Sequence, residues 1–114
     1  SVMIDRVVSN LLSNALRYTP TGETIEVNIE DLENHVELRV ENPGPDIASQ
    51  HLDRIFDRFY RVDPARREGT ANTGLGLAIA RSLIEAHGGK ISCTSKNGRT
   101  TFILTFMRPL AFQL

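Results

Sequence analysis

The sequence predicts an α+β domain, a two-layer sandwich in which a mostly antiparallel mixed sheet carries helices on one face. Three observations predict it. Residues 2–18 and about 75–87 repeat apolar side chains at helical spacing. Two runs that alternate apolar and polar residues flank the short polar stretch from Asp31 to Asn34, the pattern of a hairpin. Two more strand-like runs close the chain around Asn97-Gly98, a dipeptide suited to a tight turn.

Taken in order, the first helix has a stripe of Met3, Ile4, Val7, Val8, Leu11, Leu12, Ala15 and Leu16, and Pro20 and Gly22 stop it. Ile25, Val27 and Ile29 mark the first strand; Val36, Leu38 and Val40 mark the second. The second runs into V-E-N-P-G-P-D-I, residues 40–47, a loop stiffened by prolines on both sides of Gly44. Residues 48–60 predict one or two short helices ending in F-D-R-F-Y. Residues 61–73 (RVDPARREGTANT) are almost free of apolar side chains, and a loop that long in a compact domain is functional or disordered. A second helix follows from about Leu75 to His87, capped by Gly88-Gly89. The last strands lie around Ile91 to Ser95 and Thr100 to Met107.

The 114 residues form a single domain, 1–114, with a formal charge of -1. That balance excludes nucleic acid as the main partner, because a phosphate backbone calls for a basic surface. The single cysteine, Cys93, permits no internal disulfide and reads as a small core residue on a strand. No apolar run approaches the ~20 residues of a membrane span, and no signal peptide is visible. The chain opens inside a helical pattern without Met, so it reads as a domain of a longer parent that would carry any targeting or membrane segment.

Two stretches carry chemistry. In N-L-L-S-N-A-L-R-Y, residues 10–18, Asn10, Asn14 and Arg17 fall within about 60° of one another on the helix, beside the apolar stripe. Asn is a poor helix-interior residue. The row is either an exposed polar flank or a set of oxygen ligands for Mg²⁺, which needs only one or two protein ligands when phosphates and waters supply the rest. In N-T-G-L-G-L-A-I-A, residues 72–80, Gly74 and Gly76 stand where a loop enters a helix, a candidate phosphate cradle. It matches neither the Walker nor the dinucleotide pattern.

Together these stretches resemble the ATP-binding catalytic domain, of Bergerat fold, of bacterial two-component sensor histidine kinases. The first looks like that family's N box, I-F-D-R-F-Y-R like its F box, T-G-L-G-L-A-I-A like its second glycine box, and G-R-T-T-F like its third element. All four occur in order over nearly the whole chain; the family usually has one more strand before the first helix. The resemblance implies that Asn14 binds Mg²⁺, with Asn10 nearby and Arg17 and Tyr18 on the phosphates. It implies that Phe56 and Phe59 anchor a nucleotide lid, residues 61–73, whose Arg61, Arg66 and Arg67 make it basic. Thr73, Gly74, Leu75, Gly76 and Leu77 would close over the triphosphate. Thr100 would hold adenine from the far side, although Thr101 beside it leaves a one-residue ambiguity. Asn72 replaces a frequent Gly.

The family's first glycine box usually reads D-x-G-x-G. Here Asn42 stands for the Asp and Asp46 for the second Gly, aligned on Val40, Gly44 and Ile47. Either the pocket is degenerate, or Asn42 offers its C=O to the adenine amino group and its N–H to the adjacent ring nitrogen. Asp46 is expected to point to solvent. At position 10 the hydrolytic branches of the superfamily carry a Glu; an amide is no general base, so Asn10 favours transfer to histidine over ATP hydrolysis. His35, His51 and His87 lack the family's acceptor setting and read as a surface pair and a helix end. The resemblance therefore implies several partners: ATP or ADP, a phosphoacceptor and dimerisation domain of the same parent, and indirectly a response regulator. The chain alone is expected to be a monomer, and the parent a homodimer at the bacterial inner membrane with this domain in the cytoplasm. The E-N-P-G loop and F-D-R-F-Y-R-V-D-P look most like copper- and silver-sensing kinases. The alternatives are a catalytically silent nucleotide-binding module and a superfamily ATPase.

Overall fold

The computed structural model describes residues 2–60 and 76–107. The elements are α1 (Val2–Tyr18), β1 (Glu26–Asp31), β2 (His35–Pro43), α2 (Ser49–Leu52), α3 (Gly76–Ala86), β3 (Lys90–Lys96) and β4 (Arg99–Met107). These match the predicted elements in kind and order; of the stretch 48–60 predicted to hold short helices only Ser49–Leu52 is α-helical, and β2 runs on to Pro43.

The α1 stripe works as its spacing predicts. Val7, Leu11 and Ala15 are fully buried, and Met3, Ile4, Val8 and Leu12 pack against the core. Leu16 is exposed. It lies about 140° around the helix from Leu11, beyond the buried stripe. Both the N–H and the Oγ1 of Thr19 donate to Ala15 O, which closes the helix before Pro20.

The strands form one sheet in the order β1-β2-β4-β3. Every pairing between the described strands is antiparallel, so the parallel pair implied by a mixed sheet is not among them. The β2–β4 register sets Val36 opposite Phe106, Leu38 opposite Leu104, Val40 opposite Phe102 and Asn42 opposite Thr100. All eight residues are buried. One face of two central strands therefore supplies most of the sheet's contribution to the core, and α1 and α3 pack on it and on each other. Phe56 meets the Phe102 ring edge-on, with centroids 6.0 Å apart, and so ties the segment after α2 to β4.

Strand β1 forms and pairs as its alternation predicts, but it lies at an uncovered edge. Val27 and Ile29 lie opposite Val40 and Leu38, on the core side, yet remain 45% and 68% exposed. The principal helix contacts with the sheet reach β2 and β3 and stop short of this edge.

Helix α3 ends in a Schellman motif. Gly88 has φ +80°, its N–H donates to Glu85 O at 3.0 Å, and Gly89 N–H donates to Ile84 O at 2.9 Å. Nδ1–H of His87 donates to Leu83 O at 2.9 Å, so its place at the helix end is accounted for. A Cβ on Gly89 would stand 2.7 Å from Thr105 O, inside contact distance of a central-strand carbonyl. Gly89→Ala should therefore lower unfolding free energy by about 1–3 kcal/mol, the usual cost of overpacking. Urea denaturation with far-UV detection measures the change.

Cys93 is half-buried against the core, and burial pushes its thiol up from 9.0 to about 12. It stays protonated and unreactive at neutral pH, as expected of a structural cysteine. The unfolded chain ionises first, so this contribution to stability is intact below about pH 9 and is lost as pH rises towards 12. Denaturation at a series of alkaline pH values should show that decline, and Cys93→Ala should flatten it.

Candidate functional site

The polar flank of α1 is where helical geometry puts it. Asn10, Asn14 and Arg17 are half-buried, and Tyr18 at the helix end is exposed. Neither side-chain amide, nor the Arg17 guanidinium, has a hydrogen-bond or ion-pair partner among the described residues. Two half-buried amides one turn apart, without partners among the described residues, are unusual in a helix interior. An amide oxygen is a hard donor suited to Mg²⁺, but one ligand holds such an ion only when phosphates and waters complete the shell. Among the described residues no group of three or more His, Cys, Asp or Glu could hold a metal. The donor set thus fits a cation that arrives with a polyphosphate.

The stiff loop after β2 forms the second wall. Asn42 and Thr100 are 3% and 5% exposed, the two buried polar residues of the described structure. They are directly opposed across β2 and β4, on the core face, where facing Cβ atoms stand about 5 Å apart. Asn42 Nδ2 donates to Pro43 O at 3.0 Å, which fixes the amide's orientation. Its Oδ1 has no partner among the described residues. Gly44 has φ +154°, a conformation that L side chains rarely adopt, and a Cβ there would lie 3.1 Å from Tyr18 O. Glycine lets the loop pass against the end of α1, which joins the loop to the α1 flank.

The loop is also tied to the β3–β4 turn. Gly44 N–H donates to Gly98 O at 3.0 Å, and Gly98 N–H donates to Asp46 Oδ1 at 2.8 Å. Ile47 N–H donates to Ser95 Oγ at 2.7 Å, and Ser95 Oγ lies 2.9 Å from Thr100 Oγ1. Asp46 is exposed, as expected, but it is not idle: it caps the turn. Sequence reasoning did not find this role, because Asp46 and Gly98 are 52 residues apart. Ser95 was likewise missed; an alternating strand residue gives no signal of a loop across from it.

Of the expected lid anchors, Phe56 is buried while Phe59 is 63% exposed with a left-handed φ of 65°. Phe59 does not pack into the described core. The Arg58 guanidinium lies 5.7 Å from its ring centroid. His51, expected at the surface, is half-buried and hydrogen-bonded through Nδ1 to Tyr60 OH, over whose ring Arg54 lies at 4.9 Å. Gly76 and Leu77, both half-buried, open α3. Arg61, Arg66, Arg67, Asn72, Thr73, Gly74 and Leu75, and with them the whole expected lid 61–73, lie outside the described residues. The structure thus brings Tyr18, Asn42, Gly44, Ile47 and Thr100 together at one end of the sheet, continuous with Asn10, Asn14 and Arg17. A separate cavity of about 290 Å³, between Phe56–Arg58 and α3, includes only Phe56 from the expected set.

Comparison with known proteins bears on the family and the fold. Residues 1–110 match the family described as histidine kinase-, DNA gyrase B-, and HSP90-like ATPase. The sensor histidine kinase CusS of Escherichia coli (strain K12) is 53% identical over 104 residues, which cover 91% of this chain and 22% of that protein. The sensor protein CopS of Pseudomonas syringae pv. tomato is 81% identical over 69 residues, covering 60% of this chain and 14% of CopS. The solved structure of the mycobacterial sensor histidine kinase MprB superimposes with a TM-score of 0.83 at 29% identity, over 96% of this chain and 75% of that one. The chain therefore spans about a fifth or less of these two curated relatives.

Proposed function

The chain belongs to the histidine kinase-, DNA gyrase B-, and HSP90-like ATPase family, and from that membership we propose that it binds Mg-ATP and presents the γ-phosphate to a histidine. That histidine lies on a phosphoacceptor and dimerisation domain of a longer, homodimeric parent, from which the phosphoryl group passes to a response regulator. The parent is anchored in a bacterial inner membrane and belongs to the heavy-metal sensing subgroup.

The observation that carries the reading is the opposed, buried pair Asn42 and Thr100 beneath a glycine that lets the loop touch the end of the N-box helix. Burial of a polar side chain is costly unless it is hydrogen-bonded. Asn42 Nδ2 and Thr100 Oγ1 have protein partners, and Asn42 Oδ1 has none among the described residues, so it is the group left for a ligand. Asn42 Oδ1 accepts from the adenine amino group. One Nδ2–H remains on Pro43 O while the other faces the adjacent ring nitrogen, so a neutral amide does the work of the usual carboxylate. Thr100 meets the base from β4.

On α1, Asn14 Oδ1 supplies the protein ligand to Mg²⁺, Asn10 supports it, and Arg17 and Tyr18 reach the phosphates. When bound, the cation neutralises charge that develops on the transferred phosphoryl group. Asn10 cannot deprotonate water, so the site positions ATP without activating water for hydrolysis. An imidazole nitrogen needs no such base, because its neutral form offers a lone pair. Phe56, buried against Phe102, holds the base of the lid, and the exposed Phe59 stands between it and the lid in sequence. Gly74 and Gly76 close over the triphosphate.

Calorimetry of the chain with Mg-ATP tests the binding half. Asn42→Ala should weaken binding by about 1–3 kcal/mol, the range for a two-point adenine contact; unchanged affinity would move the adenine contact elsewhere. Phosphotransfer in the full parent tests the chemistry. Asn14→Ala should abolish Mg²⁺-dependent labelling of the acceptor histidine and leave the circular dichroism spectrum unchanged.

A further inference from the structure

We propose that Ser95, with Asp46, is a specificity-determining positioning residue that sets the Thr100 hydroxyl as a hydrogen-bond donor towards a purine base. The inference rests on the reading of Thr100 as an adenine contact.

The direction of the hydrogen bonds carries it. Ile47 N–H is a donor only, so Ser95 Oγ is the acceptor in that 2.7 Å contact. The oxygen then retains one lone pair and its single proton for Thr100 Oγ1, 2.9 Å away. A hydroxyl that already accepts a hydrogen bond is polarised into a better donor, so the chain runs in one sense, from Ile47 to Ser95 to Thr100. Thr100, accepting from Ser95, has its own proton left over. It is 5% exposed and faces Asn42, so that proton is directed to the same end of the core as Asn42 Oδ1.

Asn42 Oδ1 as acceptor, with the Thr100 hydroxyl beside the second Nδ2–H as donors that share one ring nitrogen, matches adenine, which presents an amino group beside a ring nitrogen lone pair. Guanine presents a carbonyl oxygen beside a ring N–H at those places, the reverse polarity. The relay therefore selects the base and does more than fill space. Asp46 keeps it assembled. Its carboxylate accepts from Gly98 N–H while Gly44 N–H donates to Gly98 O, so both backbone groups of Gly98 are clamped to the loop. The clamp fixes the β3–β4 hairpin, and Ser95 with it, against the segment from Gly44 to Ile47. A carboxylate at position 46 is a strong acceptor for this purpose.

Calorimetric titration of the chain with Mg-ATP and with Mg-GTP separates this role from a structural one, because a loss of fold weakens both nucleotides alike. Ser95→Ala is expected to reduce the ATP-over-GTP preference by about three- to tenfold, the loss of one neutral hydrogen bond. Ser95→Thr, which keeps a hydroxyl, is expected to restore it. Asp46→Ala, an exposed change that leaves the relay atoms in place, is expected to reduce the same ratio in the same sense. A ratio unchanged in Ser95→Ala and Asp46→Ala, or equal losses for both nucleotides, overturns the relay. An unsubstituted chain that binds neither nucleotide overturns the adenine-site reading and the relay with it. An unsubstituted chain that binds ATP, with variants that keep its preference, overturns the relay alone.

Discussion

The register between β2 and β4 is the constraint on which the rest depends. Nine consecutive pairs run from His35 opposite Met107 to Pro43 opposite Arg99. Side chains alternate faces along a strand, so a slip of one residue would turn Val36, Leu38 and Val40 to solvent and Glu37, Arg39 and Glu41 into the core. The apolar pairs therefore fix the register. Asn42 and Thr100 inherit their positions from it, brought face to face at the end of a ladder that hydrophobic burial aligns. The site needs no separate device to bring those two residues together.

What the register cannot do is hold the loop beyond β2, and here the backbone takes over. Two prolines restrict the chain on either side of Gly44, and Gly44 adopts a conformation closed to other residues while it passes the Tyr18 carbonyl. Hydrogen bonds to Gly98 and Ser95 supply the remaining restraint from the opposite hairpin. Asn97 and Gly98 both have positive φ, as a tight hairpin turn requires, so the anchoring point is itself rigid. Three separate parts of the chain thus meet at one place: the end of α1, the loop after β2 and the β3–β4 turn. The polar flank of α1 adjoins that meeting point, so the proposed base and phosphate contacts would share one frame.

Much of this was legible in the sequence. The α1 stripe, the alternation in β2 and β4, the Asn97-Gly98 turn and the Gly88-Gly89 helix end are local patterns, and local patterns are what periodicity reads. Asn10, Asn14 and Arg17 were placed on one flank by the helical angle alone, and Asn42 and Thr100 by their resemblance to family motifs. Contacts between distant segments were not legible. Asp46 on Gly98 and Ser95 on Ile47 join residues that no spacing rule connects, and the approach of Gly44 to Tyr18 depends on tertiary packing. Val27 and Ile29 show how far a local pattern reaches. Their alternation correctly gives the strand and the face, but burial depends on whether a helix lies over that edge, which a strand pattern does not encode.

That uncovered edge has a consequence for how the molecule opens. Among the described residues strand β1 is paired on one side only, to β2, whereas β4 lies between β2 and β3 and carries Phe102 and Leu104 in the centre of the core. With its side chains exposed along its whole length, β1 contributes little buried area to resist separation. Its amide protons will exchange with solvent through local fraying, at a rate insensitive to the stability of the whole domain. Those of β4 will exchange only when the domain unfolds. Asn42 and Thr100 sit on the two strands paired on both sides, away from this edge, so the proposed recognition pair is spared that fraying.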